Sequence, residues 1–236
     1  MGGFSAAGFA CLLTLTGFGP PDPGHAAHLT SLEQQLAIDS ENLRLASDYR
    51  QMLVADRDFD RSTGLFERLV RQKGSGPNVH ISLALAYVDK VPTSGDLRRL
   101  YLGRDAMNEL TKAIERRPSV LAYLVRGVIN LYYNNFIFKR IPRGIADLEC
   151  ALTLVTPDTP PALVAWVYRS LGDGLWRSEE RAKARQAWAA GASRIPGDGE
   201  LSRRVHGSDA DVKEMVSAAL YAGSRVDTSL RGMLPY

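Results

Sequence analysis

The sequence predicts an all-α protein of stacked antiparallel helical hairpins, closed at its carboxyl end by a capping helix. Three observations predict it. Between residues 30 and 225 no alternating apolar-polar run is bounded by Asn-Gly or Asp-Gly turns, the pattern that marks paired strands. Helix start and stop signals recur in its place. Three segments also end alike at Pro118, Pro157 and Pro196, spaced 39 residues apart.

Composition admits this class and removes others. The 236 residues are 45% hydrophobic and 23% charged, enough apolar material for a core and too much for a disordered chain. Lys and Arg number 29 against 26 Asp and Glu, and a net charge of +3 from mixed signs gives no reason to expect nucleic acid. There are 2 cysteines, Cys11 in an apolar run and Cys150 alone, which excludes a disulfide scaffold.

Taken in order, residues 4–18 (FSAAGFACLLTLTGF) form an uncharged apolar run of signal-peptide length, too short to span a bilayer. Gly24 and Ala26 offer a small-x-small cleavage pattern, although no Lys or Arg precedes the run. Residues 1–27 therefore read as a cleavable export signal, with a retained anchor as the lesser alternative. Export would leave Cys150 as the one thiol, on an apolar stripe where a small core residue is expected.

Residues 28–76 read as a degenerate helical pair. Thr30-Ser31-Leu32-Glu33 has the form of a capping box, followed by a stripe of Leu36, Leu43, Ala46, Tyr49 and Leu53. Gly74-Ser75-Gly76-Pro77 stops one helix and starts the next. Thr159 before Pro160 and Pro161 reads as an N-cap with proline in the first turn. In the 199–236 stretch, Ser208 and Asp211 open a last helix running through Met215, Ala219 and Leu220.

Residues 77–198 carry the repeats. Before each of the three prolines, a small residue (Ala113, Ala151, Gly191) stands three positions after a large one (Leu110, Leu148, Trp188). Upstream lies a second helix with the same device: Leu83-Ala84 with Tyr87, Tyr123 with Gly127, and Tyr168-Leu171-Gly172 with Leu175. Small residues let helices approach closely and large ones fill the gap. Over 165–198, Tyr168, Leu171, Gly172, Leu175, Ala184, Trp188, Gly191 and Pro196 resemble the tetratricopeptide repeat family at its signature spacings. The two earlier copies are stretched, by insertions at 91–103 and 131–144.

The resemblance implies an α-solenoid of tetratricopeptide type, acting as a non-enzymatic protein-interaction scaffold without a cofactor. Its first helices would line a concave groove for an extended segment. The groove positions implied are Asn78, Ile81 and Leu85, then Leu124, Val128, Leu131 and Tyr132, then Trp166, Arg169, Asp173, Trp176 and Arg177. Trp and Arg are favoured at binding hot spots, but Trp166 and Trp176 equally suit packing against the next helix. With the leader, this predicts an adaptor in an envelope complex, periplasmic or secreted, bound to a protein partner. Peripheral membrane association and oligomeric state are left open.

The catalytic inventory is thin. His25, His28, His80 and His206 are too scattered for a zinc or catalytic signature, and no metal is expected. The carboxylates at Asp56, Asp58 and Asp60 and at Glu179-Glu180 read as helix-start charges. The basic pairs Arg98-Arg99, Arg116-Arg117 and Arg203-Arg204 read as solvated helix faces. The insertion 131–144 carries four aromatics beside Lys139, Arg140 and Arg143, and reads first as a lengthened helix sealing its hairpin. An alternative function comes from LRRLYLGRDAMNEL, which loosely resembles the helical T component of tripartite ATP-independent periplasmic transporters. That likeness implies a small-ligand accessory with a pocket at Tyr132, Tyr133 and Phe136.

Overall fold

The computed structural model describes residues 23–132, 140–219 and 228–234, and within them the chain is helical with no strand. Among the described residues eleven α-helices follow one another: α1 Pro23–Ile38, α2 Leu43–Asp56, α3 Phe59–Val70, α4 Pro77–Lys90 and α5 Asp96–Arg116. They continue as α6 Val120–Tyr132, α7 Ile141–Thr153, α8 Pro161–Arg177, α9 Arg181–Arg194, α10 Gly199–His206 and α11 Asp209–Ala219. The predicted hairpins are α4–α5, α6–α7 and α8–α9, each pair packed along its length. Across hairpins α2 touches α4, α5 touches α6, and both α6 and α7 touch α8.

Local chemistry explains most boundaries. Asn42 accepts from Leu45 N at 3.0 Å, Asp58 from Arg61 N at 3.2 Å and Asp198 from Leu201 N at 2.8 Å, three side-chain caps on α2, α3 and α10. Helix α4 is capped from a distance. The Glu41 carboxylate accepts from Asn78 N at 3.0 Å and Val79 N at 3.1 Å, and Gly76 leaves the room it needs. Ser208 and Asp211 open α11 as predicted, and they do so as a reciprocal cap with N–H to side-chain bonds of 3.1 and 3.2 Å.

The close approaches fall where the small residues stand. A side chain on Gly127 would meet the Gly144 carbonyl at 3.1 Å, and one on Gly144 the Gly127 carbonyl at 2.9 Å, so α6 and α7 touch backbone to backbone. Gly172 lies directly beneath the Trp188 indole, and Gly191 against Tyr168. Leu110, Leu148 and Trp188 are fully buried as the filling residues. Two apolar clusters result among the described residues. A smaller one joins α1–α4 through Leu36, Tyr49, Phe66 and Leu83, and the main one runs from α4 to the carboxyl-terminal segment; Tyr87 packs against both.

Several local expectations are corrected. Residues 28–76 hold three helices, not a pair, because α1 begins at Pro23 and runs through the supposed capping box. Thr30 sits inside α1 and donates to the Ala26 carbonyl at 3.0 Å. Thr159 does not cap α8; its hydroxyl accepts from Thr156 N at 2.9 Å within the preceding turn. Cys150 is exposed, since the buried stripe of α7 is Ile141, Gly144, Leu148 and Ala151. The buried stripe of α11 is Val212 and Val216, leaving Ala219 exposed; Leu220 lies outside the described residues. Most of the 91–103 insertion is the overhanging start of α5, with Leu97, Leu100 and Tyr101 exposed. Residues 133–139 of the other insertion lie outside the described residues.

Candidate functional site

Most side chains assigned to the predicted binding face are already engaged within the fold. Ile81, Leu85, Leu124, Val128 and Leu131 are buried in the main cluster, so they support the face without presenting it. Trp176 is buried too. Its ring lies 5.8 Å from that of Trp188, and the guanidinium groups of Arg181 and Arg185 stack over it at 5.3 and 5.7 Å.

Asp173 is a correction of the same kind. Both its oxygens accept from Arg204 of α10, at 2.8 and 3.0 Å, and both side chains are buried. Burial pushes the Asp173 carboxyl up, and the paired guanidinium works against that rise. Arg204 therefore leaves the set of solvated basic pairs, whereas Arg98, Arg116, Arg117 and Arg203 stay exposed.

Asn78, Tyr132, Trp166, Arg169 and Arg177 are half-buried. Asn78 donates to the Glu41 carbonyl at 2.9 Å, Tyr132 to the Ala219 carbonyl at 2.7 Å, and Arg177 to the Leu131 carbonyl at 2.6 Å. Arg177 thus satisfies the last turn of α6, a favourable place for a cation. Burial lowers the Arg177 and Arg169 guanidinium groups below the ordinary arginine range, and the Arg169 Nε has no partner among the described residues. Trp166 packs on the main cluster. Of the aromatic pocket attributed to a small ligand, Tyr133 and Phe136 lie outside the described residues.

A buried polar site joins α2, α4 and the carboxyl-terminal segment. Arg50 of α2 and Asp89 of α4 form a 2.8 Å ion pair, each side chain 1% exposed. The carboxyl-terminal segment is laid across the pair. Arg50 Nη2 donates to the Thr228 carbonyl at 2.7 Å, and the Thr228 hydroxyl donates to Asp89. Gln51 donates to the Thr228 hydroxyl at 3.3 Å, and Ser47 donates to the next carbonyl, that of Ser229. Leu230 is buried in the main cluster, and Gly232 lies beside Ala162 of α8. The segment therefore crosses from α2 and α4 towards α8.

In fold, the chain is similar to a thermophilic TPR protein of Thermus thermophilus. The likeness has a TM-score of 0.56 and covers 77% of this chain and 88% of that one at 20% identity. The chain has the tetratricopeptide-repeat fold. In sequence it is 29% identical over 122 residues to bacteriophage adsorption protein A of Escherichia coli K12. That stretch covers 52% of this chain but 11% of that protein, so the chain corresponds to a small part of its relative's length. No family model matches the sequence.

Arg50 and Asp89 thus lie on α2 and α4 beneath the Thr228–Leu230 segment. Sequence reasoning missed this pair because it lies in and beside the most degenerate repeat. A signal was present. Arg50 falls on the buried stripe of α2 between Ala46 and Leu53, and Asp89 stands one turn after the buried Leu85 and Ala86. A charge on an apolar stripe requires a partner. No group of three or more metal-ligating side chains occurs among the described residues, and none of their helices is long and apolar enough to cross a membrane.

Proposed function

We propose that this protein is a non-enzymatic scaffold of the cell envelope that holds an extended segment of a partner protein on its first-helix face. Its fold is one commonly used to bring proteins together. The observation that carries the reading is the Thr228–Leu230 segment on that face, bound through two successive carbonyls by Arg50 and Ser47. Side-chain donors aimed at consecutive backbone carbonyls hold a chain through its main chain, and the pockets beside them select its side chains. The envelope location is supported by the apolar run at 4–18 and by partial similarity to a protein named for bacteriophage adsorption.

The test is purification of the tagged protein from its own cells after photo-crosslinking through a reactive group at Gln51. We expect a discrete protein adduct in the envelope fraction, and a mature chain beginning at His28. An uncrosslinked protein retained in the cytosol with its leader intact would overturn the reading.

A further inference from the structure

We propose that residues Thr228–Leu234 are a built-in competitor for the partner site, and that the segment bound in trans carries the same chemistry. That chemistry is a Thr or Ser whose hydroxyl donates to Asp89 and whose carbonyl accepts from Arg50, with Leu two residues further on. This rests on the reading of the first-helix face as a segment-binding surface.

The clamp is specific in what it can satisfy. A buried ion pair gains from every further hydrogen bond to its donors and acceptors, and although the Arg50 Nε has no partner among the described residues, its Nη2 does. Here Arg50 Nη2 has a donor to place and Asp89 a lone pair to fill, side by side. One residue supplies both with its carbonyl and hydroxyl. A Val at that position would keep the carbonyl bond and leave the Asp89 lone pair without its hydroxyl partner. Gln51 reaches the same hydroxyl, so the position is read as a hydroxyl residue from two sides.

The conformation of the segment comes from the site and not from local preference. Leu230 has a φ of 53°, a region that residues with side chains seldom occupy, yet it is 2% exposed. Its side chain is drawn into the main cluster, and the chain then turns so that Met233 N donates to the Leu230 carbonyl at 3.0 Å. Met233 and Leu234 pack behind it on the same cluster. Thr228 and Ser229 are held by side chains of α2 and α4, not by a helix or sheet ladder. Bonds of that kind can be exchanged one for one by another segment of the same pattern.

A tethered segment competes at an effective concentration of about millimolar, so the full chain should bind an identical free peptide poorly until its own copy is undocked. The experiment uses the full-length protein and a fluorescent peptide, TSLRGML, matching residues 228–234. Fluorescence anisotropy is measured on the wild type and on Leu230→Asp, whose charged side chain cannot enter the cluster. We expect Leu230→Asp, folded by circular dichroism, to bind the peptide at least tenfold more tightly than the wild type. We expect a peptide with Val in place of its Thr to lose at least tenfold of that affinity. If Leu230→Asp does not fold, Thr228→Val in the full chain takes its place in the same comparison.

Equal, weak binding by wild type and undocked variant would overturn the competitor role. Equal binding of the Thr and Val peptides would overturn the assigned chemistry. Crosslinking through Gln51 in cells separates these failures from that of the underlying reading. An adduct whose formation is not suppressed by excess TSLRGML added before irradiation leaves the segment-binding face standing and sinks this proposal. The absence of any adduct sinks the face itself.

Discussion

Arg204 on α10 grips Asp173 on α8 with two parallel bonds, Nε to Oδ1 at 2.8 Å and Nη2 to Oδ2 at 3.0 Å. A third contact, Nη1 to the half-exposed Glu200 at 2.9 Å, completes the guanidinium. The pair docks the carboxyl-terminal cap on the best-formed repeat. Removing one member of a buried pair strands the other, which typically costs ~3–5 kcal/mol. Asp173→Ala should fall near the lower end, about 3 kcal/mol, since Glu200 still holds one nitrogen. Glu200→Ala should cost no more than about 1 kcal/mol, because its solvent contact weakens the attraction. Urea denaturation of the two variants checks the ordering, and equal losses would refute a cap pinned by Asp173.

Gly172 and Trp188 form a close helix contact between α8 and α9. A β-carbon on Gly172 would fall well inside van der Waals contact of the indole nitrogen, which itself donates to the Arg169 carbonyl at 3.2 Å. Gly172→Ala should therefore destabilise by ~1–3 kcal/mol through overpacking. Trp188→Ala should lose ~3–5 kcal/mol by leaving a cavity. The double variant should cost at least about 1 kcal/mol less than the sum, because the methyl then enters the space the ring vacated. Additive losses in chemical denaturation would show that the two residues do not share this contact.

Cys150 is exposed on α7, one residue from the buried Ala151. Its thiol should react with a soluble disulfide reagent in the folded protein, as peptide mapping by mass spectrometry would record. Cys150→Ala should change stability by no more than about 0.5 kcal/mol, as surface substitutions do. Protection of the thiol until unfolding would restore the core assignment that the apolar flanks suggested.

The fold was largely legible and the face only partly. Small-large spacings such as Gly172 with Trp188, Gly127 with Leu148 and Leu110 with Ala113 are fixed by how closely two helices can approach, so they appear directly in sequence. Exposure is different. Asp173, Trp176 and Leu124 were assigned to a groove by repeat position, but whether a first-helix residue faces solvent depends on what packs over it. For Asp173 that is Arg204, from a helix 31 residues away in sequence. For Arg50 and Asp89 it is a segment 178 and 139 residues away. No local periodicity carries such separations. The capping errors at Thr30 and Thr159 have a simpler origin: a hydroxyl near a helix start can bond back along the chain as readily as forward.

Glu109 ties α5 to α4 through a buried contact with His80 at 2.5 Å and to its own helix through Lys112 at 2.6 Å. Burial alone raises its carboxyl, but the bonds from His80 and Lys112 outweigh that and hold it below its ordinary value of 4.5. A group lowered by folding contributes stability that is fully present above the unfolded value and lost as pH falls through the folded one. Hydrogen bonds to a charged group contribute ~1.5–3 kcal/mol. Glu109→Gln should then melt about 3–10 °C below the wild type at neutral pH. The gap should shrink as pH falls below 4.5, because the wild-type carboxyl becomes neutral like the amide. Melting curves of both proteins from neutral to strongly acidic pH test this. A gap that stays constant would mean that Glu109 contributes through shape and not through charge.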